Sequence, residues 1–163
     1  MEKIKTAILT LSDKGSRGER VDESGKLIID SLEQKDYTIT FYKVIPDERD
    51  ILKKLLVELS EKADLIITNG GTGLSPRDIT PDVTLEVIDR QIPGIAEAMR
   101  LKGLEKTPRA MLTRGVSGIR GNCLIVNLPG SPKAVMESLE VIIDVLPHAI
   151  EKIKGSEEDC ART

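Results

Sequence analysis

Aromatic side chains are almost missing from this sequence: it has no tryptophan, one phenylalanine and two tyrosines. Single-strand and base-reading platforms stack bases on such rings, so a nucleic-acid binder of that kind is excluded. A flavin site would lack its usual ring contacts for the same reason. The one histidine, His148, falls off the apolar stripe of its segment and is expected to be exposed and inert. No Ser–His or Cys–His nucleophile pair can therefore be assembled. Cysteine is scarce too, with Cys123 in an apolar run and Cys160 in a polar tail. Neither CxxC nor metal-ligand spacing occurs, which reads as two structural or incidental thiols in a reducing compartment. Basic charge is not in excess, since 24 Lys and Arg face 27 Asp and Glu for a net charge of −3. Without a basic block, tight generic binding to DNA or to acidic membranes is excluded. No apolar run approaches the ~20 residues of a membrane span. The start, MEKIKTAILTLS, is too polar for a signal peptide. A soluble, cytoplasmic protein without nucleic-acid or membrane partners is expected.

What is present is aliphatic and ordered in blocks. The 163 residues are 39% hydrophobic and 31% charged, a globular composition of one-domain length. Residues 4–11, IKTAILTL, form a β-branched apolar run that predicts a buried strand. Helical spacing follows over 24–35, a second strand over 37–45, and a helix opened by Pro46 and Asp47. Residues 64–69, DLIITN, are nearly all apolar, as a parallel strand covered on both faces must be. Thr80-Pro81 has the order of an N-cap followed by proline, and so does Ser131-Pro132. Pro93 opens another helix that ends near Gly103, and a short hairpin precedes a buried strand over 124–128. The helix from Pro132 is long, with Pro147 expected to kink or end it. Strands alternating with helices give an α/β domain with a mostly parallel sheet and helices on both faces. It is expected to span 1–154, with a flexible tail over 155–163.

In open α/β sheets ligands collect beyond the carboxyl ends of the strands. Four loops leave such ends: 12–23, Pro46 with Asp47, 70–77 and 129–131. The third, within ITNGGTGLSPRDITPD, places three glycines in four residues. Bare backbone N–H groups there could receive phosphate, or the glycines could serve only a tight turn. The stretch matches neither the dinucleotide fingerprint nor a P-loop, since no lysine follows the last glycine. Asp47 and Asp78 fall on the same sheet edge. Carboxylates beside phosphate repel it unless a cation bridges them, and Mg²⁺ does so with one or two carboxylates. Helix capping by Asp47, and pairing of Asp78 with Arg77 or its satisfying the turn before Thr80, remain the plain alternatives. Ser12 and Asp13 stand at a strand end where a ligand could touch them, while Asp22 reads first as a helix cap. Phosphoryl or nucleotidyl transfer by positioning and charge stabilisation fits this inventory better than acyl transfer.

Four stretches taken in order, IPDE, TNGGTGLSPRDITPD, IPGIAEAMR and LIVNLPGSPKAV, closely resemble the MogA/MoaB family of molybdenum-cofactor biosynthesis. The likeness covers about residues 4–154, and the plant Cnx1 G and gephyrin G domains look like the same unit. It implies a three-layer α/β fold, usually trimeric. The activity implied is molybdopterin adenylyltransferase, with Mg²⁺ as cofactor and ATP as co-substrate. A downstream molybdenum-insertion protein is a further implied partner. On this resemblance Asp47 and Asp78 are the catalytic, magnesium-holding aspartates. Thr68, Gly70, Gly71, Thr72 and Gly73 contact the nucleotide, and Pro129, Gly130, Ser131 and Pro132 complete the pocket with Ser12 and Asp13 opposite. Arg77 either neutralises charge near the leaving group or forms a salt bridge. Some relatives carry a hydroxyl residue where this chain has Gly103, so the pterin side of the pocket differs, with Lys102 or a neighbouring subunit to compensate. The rival reading is a MoaB-type protein that binds and hands on molybdopterin with little turnover.

Overall fold

Strand β1 (Ile4–Leu11) pairs in parallel with β2 (Tyr37–Ile45) on one side and with β3 (Leu65–Asn69) on the other. In this computed structural model, which describes residues 2–156, β3 pairs in parallel with β6 (Cys123–Leu128). The hairpin partner β5 (Ser117–Arg120) and the two-residue β4 (Arg90–Gln91) run antiparallel and finish the sheet, in the order β2-β1-β3-β6-β5-β4.

Alternation along the strands distributes the core to two faces. Ile8, Leu65, Ile67, Leu124 and Val126 point to one side. There they meet α2 (Glu23–Glu33), α5 (Pro93–Leu104), α6 (Pro132–Ile142) and α7 (Leu146–Ile153). Ala7, Leu9, Ile66 and Ile125 point to the other, against Leu52 and Leu56 of α3 (Arg49–Ser60) and Val83 and Val87 of α4 (Thr80–Val87). This is the expected α/β sandwich with helices on both faces. Each fully buried Ile or Leu contributes about 1.5–3 kcal/mol of hydrophobic stabilisation, which lets the sheet form with so few rings.

Several local expectations need correction. α3 starts at Arg49 and not at Pro46, because Glu48 is still extended, at φ −119° and ψ 123°, and its carbonyl takes the first helical bond, from the Leu52 N–H at 3.1 Å. Thr80 is inside α4 and does not cap it; Ile79 precedes the helix, and the buried Thr80 hydroxyl donates to the Gly70 carbonyl at 3.0 Å. The segment after Ser131 is two helices: α6 ends at Ile142, and Pro147 is accommodated in the first turn of α7. A single-turn helix, α1 (Asp13–Ser16), and a 3-10 turn (Pro108–Leu112) carried no signal strong enough to be read. Cys123 is buried, and burial pushes its thiol up to about 12. Cys160 and most of the expected tail lie outside the described residues.

Candidate active site

All four parallel strands end on one edge, at Leu11, Ile45, Asn69 and Leu128. The chain leaves β1 in one direction for β2 and in the other for β3 and β6, so the strand order reverses at β1. A crevice is expected outside such a reversal, and a cleft of about 720 Å³ opens there. The ends of β1 and β3 form its floor, with Thr10, Leu11, Asn69 and Gly70.

Each wall is fixed by specific bonds. Ser12 caps α1, its hydroxyl accepting from the Gly15 N–H at 2.9 Å. Asp13 accepts the backbone N–H of Asp47 at 3.0 Å and is gripped by Arg77 at 2.6 and 3.0 Å. The Arg77 guanidinium holds the Asp13 carboxyl down to about 2. Arg77 also reaches Glu48 at 3.1 Å and the Asp47 carbonyl at 3.3 Å. The salt bridge of Arg77 thus runs to Asp13 and Glu48, not to Asp78. Asp22 does cap α2, accepting from the Gly25 N–H, but its other oxygen takes the hydroxyls of Thr10 and Tyr42 at 2.6 and 2.5 Å. Asn69 completes that chain by donating to Thr10 at 2.8 Å.

Gly70 and Gly71 occupy the left-handed region, at φ 89° and 66°. A Cβ on Gly70 would collide with the Leu11 carbonyl, and one on Gly71 with the Thr80 hydroxyl and with Asp47 Oδ1. Glycine is thus required here both by conformation and by close approach. The Gly70 N–H is used by the Leu128 carbonyl at 3.2 Å, whereas Gly71 offers its N–H to no partner among the described residues. Asp78 folds its own turn, Oδ2 accepting from the Ser75 N–H at 2.9 Å. On the far wall Ser24 donates to the Gly130 carbonyl at 2.7 Å, and Ser131 caps α6.

Asp47 is half-buried and has no cation within ion-pair distance among the described residues. Its carboxyl is pushed above the usual range by burial, then by the charges of Asp13 and Asp78. No group of three or more His, Cys, Asp or Glu able to hold a metal occurs among the described residues. Asp47 and Asp78 are two carboxylates that line the same cleft. Two under-neutralised carboxylates suit a hard cation whose remaining ligands are phosphate and water, as Mg²⁺ prefers, and do not suit a structural metal.

Of the residues singled out from the sequence, Ser12, Asp13, Asp47, Gly70, Gly71, Asp78, Gly130, Ser131 and Pro132 line the cleft. Thr68 does not: it is buried in β3 and its hydroxyl accepts from Asn127. Thr72, Gly73 and Arg77 are not among the lining residues either. Pro129 faces a second cavity of about 250 Å³ between α5, the 3-10 turn and α6, and Ser131 borders both cavities. Gly103 lines this second cavity, packed so closely that a Cβ would stand 2.8 Å from that of Ala110. Sequence reasoning missed Asn69, the cleft cations Lys14 and Arg20, and Arg114. No spacing rule marks single polar residues of this kind.

Residues 7–148 match the family described as probable molybdopterin binding domain. The chain belongs to this family. A molybdopterin adenylyltransferase of Helicobacter pylori is 38% identical over 96% of this chain and 91% of its own length. Gephyrin of Dictyostelium discoideum is 40% identical over 88% of this chain, which spans only 21% of that longer protein. Among solved structures, the molybdopterin biosynthesis enzyme MoaB of Thermus thermophilus superposes with a TM-score of 0.88. It is 51% identical, covering 94% of this chain and 98% of that one. The solved MoaB structure thus shares the fold on which the cleft is built.

Proposed function

We propose that the chain is a molybdopterin adenylyltransferase of molybdenum-cofactor biosynthesis, acting in the cytoplasm with Mg-ATP as co-substrate. The observation that carries this reading is the pairing of the free Gly71 N–H with the uncompensated Asp47 and Asp78 carboxylates in one cleft. A nucleotide-sized cleft that shares Ser131 with a second cavity also suits two substrates that must meet end to end.

In the reaction an oxygen of the terminal phosphate of molybdopterin attacks the α-phosphorus of ATP. The bond from that phosphorus to the bridging oxygen breaks, and pyrophosphate leaves with the electron pair. No proton need move, because the nucleophile is already an anion. The protein's task is to hold two anions in line, which positioning and fixed dipoles accomplish. Asp47 and Asp78 would hold Mg²⁺, which when bound neutralises the phosphates and the leaving pyrophosphate. Gly71 gives phosphate a backbone donor, and Lys14 and Arg20 stand at the rim for the outer phosphates. The second cavity takes the pterin end. Gly103 on its wall replaces a hydroxyl contact by close packing against the 3-10 turn.

We also read the protein as a homotrimer that passes its product to a molybdenum-insertion protein. Leu101 and Leu104 on α5, with Met111 and Leu112 beside them, are large exposed apolar residues that support a contact surface. Sedimentation at micromolar concentration tests the trimer.

The deciding experiment is anaerobic pyrophosphate release from Mg-ATP with and without molybdopterin. Release that requires both molybdopterin and Mg²⁺ and is lost in Asp78→Asn establishes the activity. Pterin binding without release would make the chain a binding protein.

A further inference from the structure

Two arginines outside the cleft each hold the backbone carbonyl of one of its carboxylates. Arg77 takes the carbonyl of Asp47 and Arg114 that of Asp78, at 3.3 and 2.6 Å. The second set of contacts is the fuller. The turn 73–78 has its middle, Leu74, Ser75 and Pro76, in solvent. Its internal bonds, Ser75 N–H to Asp78 Oδ2 and Asp78 N–H to the Ser75 carbonyl, close the turn on itself without fixing it to the body. Arg77 ties this stretch to Asp13 and Glu48, and Arg114 attaches both of its ends. The Arg114 backbone N–H donates to the Thr72 carbonyl at 2.8 Å, Nε to the Gly73 carbonyl at 2.8 Å and Nη2 to the Asp78 carbonyl. Nη1 reaches both oxygens of Asp82 at 3.1 Å, which anchors the guanidinium to the first turn of α4. A planar fork can span both ends of a turn at once, whereas an ammonium is a single point of charge.

Arg114 lines neither cavity, so it cannot act by touching a ligand bound there. Its neighbours Thr113 and Gly115 do line the second cavity, so the segment that carries it borders that cavity while Arg114 itself reaches the turn that bears Asp78. We propose that Arg114 is a positioning residue for Asp78, setting the place of that carboxylate toward the metal and nucleotide from behind the turn. This rests on the metal–nucleotide reading above. Removing a partner that orients a metal ligand costs roughly 10–100-fold in metal affinity, so an effect of that order is expected although Arg114 contacts no metal.

The test is Mn²⁺ binding to the full chain in the presence of ATP, followed by water-proton relaxation, with metal-free AMP binding as the control. Arg114→Ala is expected to weaken Mn²⁺ about tenfold while AMP affinity stays within about twofold. Combined with Asp78→Asn, it should weaken Mn²⁺ no further than Asp78→Asn alone, because groups acting through one another are not additive. Should Arg114→Ala fail to fold, Arg114→Lys decides the matter: it keeps the charge but not the fork, and about threefold weakening is expected, again absent beside Asp78→Asn. Wild-type Mn²⁺ affinity in the folded variants, or losses that multiply with that of Asp78→Asn, overturns the role of Arg114. Absence of ATP-dependent Mn²⁺ binding in the wild-type chain would instead remove the metal–nucleotide reading itself, and the role of Arg114 with it.

Discussion

Asp13 holds Asp47 by its backbone: the Asp47 N–H donates to Asp13 Oδ1 at 3.0 Å, while Arg77 grips the same carboxylate from outside. Of the two roles expected for Arg77, the salt bridge is the one the fold displays, and it runs to Asp13 and Glu48. Arg77→Ala should lower kcat/KM for ATP about tenfold, in the range of a lost orienting partner. Its melting temperature should change little, because exposed ion pairs stabilise weakly. Steady-state kinetics beside thermal melts check both, and equal loss of activity and stability would contradict the assignment.

Asp47→Asn and Asp78→Asn should each reduce adenylyl transfer by about 10²–10³ or more, as loss of transition-state charge stabilisation does, with pterin binding retained. Asp47→Asn should also raise the melting temperature at pH 7. Its carboxyl lies above the ordinary range in the folded chain, so ionising it costs folding free energy above that pKa, and the cost disappears below it. The stability gain of the variant should therefore shrink as the pH falls through the carboxyl range. Melts from pH 8 to pH 4 measure it.

The acid limb of kcat/KM should fall at a pH above the usual carboxylate value, through protonation of Asp47, and should move to lower pH as Mg²⁺ is raised. Asp13 cannot set that limb, since Arg77 keeps it ionised to about pH 2. The stability contributed by the Asp13 pair is complete above the unfolded carboxyl pKa and is lost only as the pH approaches 2. Asp13→Asn should accordingly destabilise only slightly at pH 6, as an exposed pair allows, and cease to do so near pH 2.

Gly71→Ala adds a methyl between Thr80 and Asp47 in a backbone conformation that alanine resists. A cost of about 1–3 kcal/mol in denaturant unfolding is expected, the usual scale of such strain, together with loss of transfer. Gly103→Ala should leave ATP binding unchanged, since Gly103 lines only the second cavity.

Lys14 and Arg20 line the cleft without forming ion pairs among the described residues. Replacing either with alanine should weaken ATP binding up to about fivefold, the reach of one exposed charge. AMP binding should be unaffected if the rim holds the outer phosphates. Calorimetric titration of both nucleotides decides this, and equal loss for ATP and AMP would place the cations elsewhere.

The sequence by itself determined the α/β class, the strand over 37–45, the four loops on one sheet edge and the two aspartates beside the glycines. Each follows from local properties: alternation and apolar runs for strands, proline at helix starts, and bare backbone where glycines cluster. Tertiary structure alone decided what those residues do. Asp13 and Arg77 are 64 positions apart in the chain, and Arg114 is 36 from Asp78. Thr80 turned inward because the glycine loop needed a donor, and Thr68 was consumed by Asn127, 59 positions away. Which hydroxyl caps a helix and which carboxylate stays free for a cation depends on the partners that folding brings near. Partners so distant leave no periodic trace in the sequence.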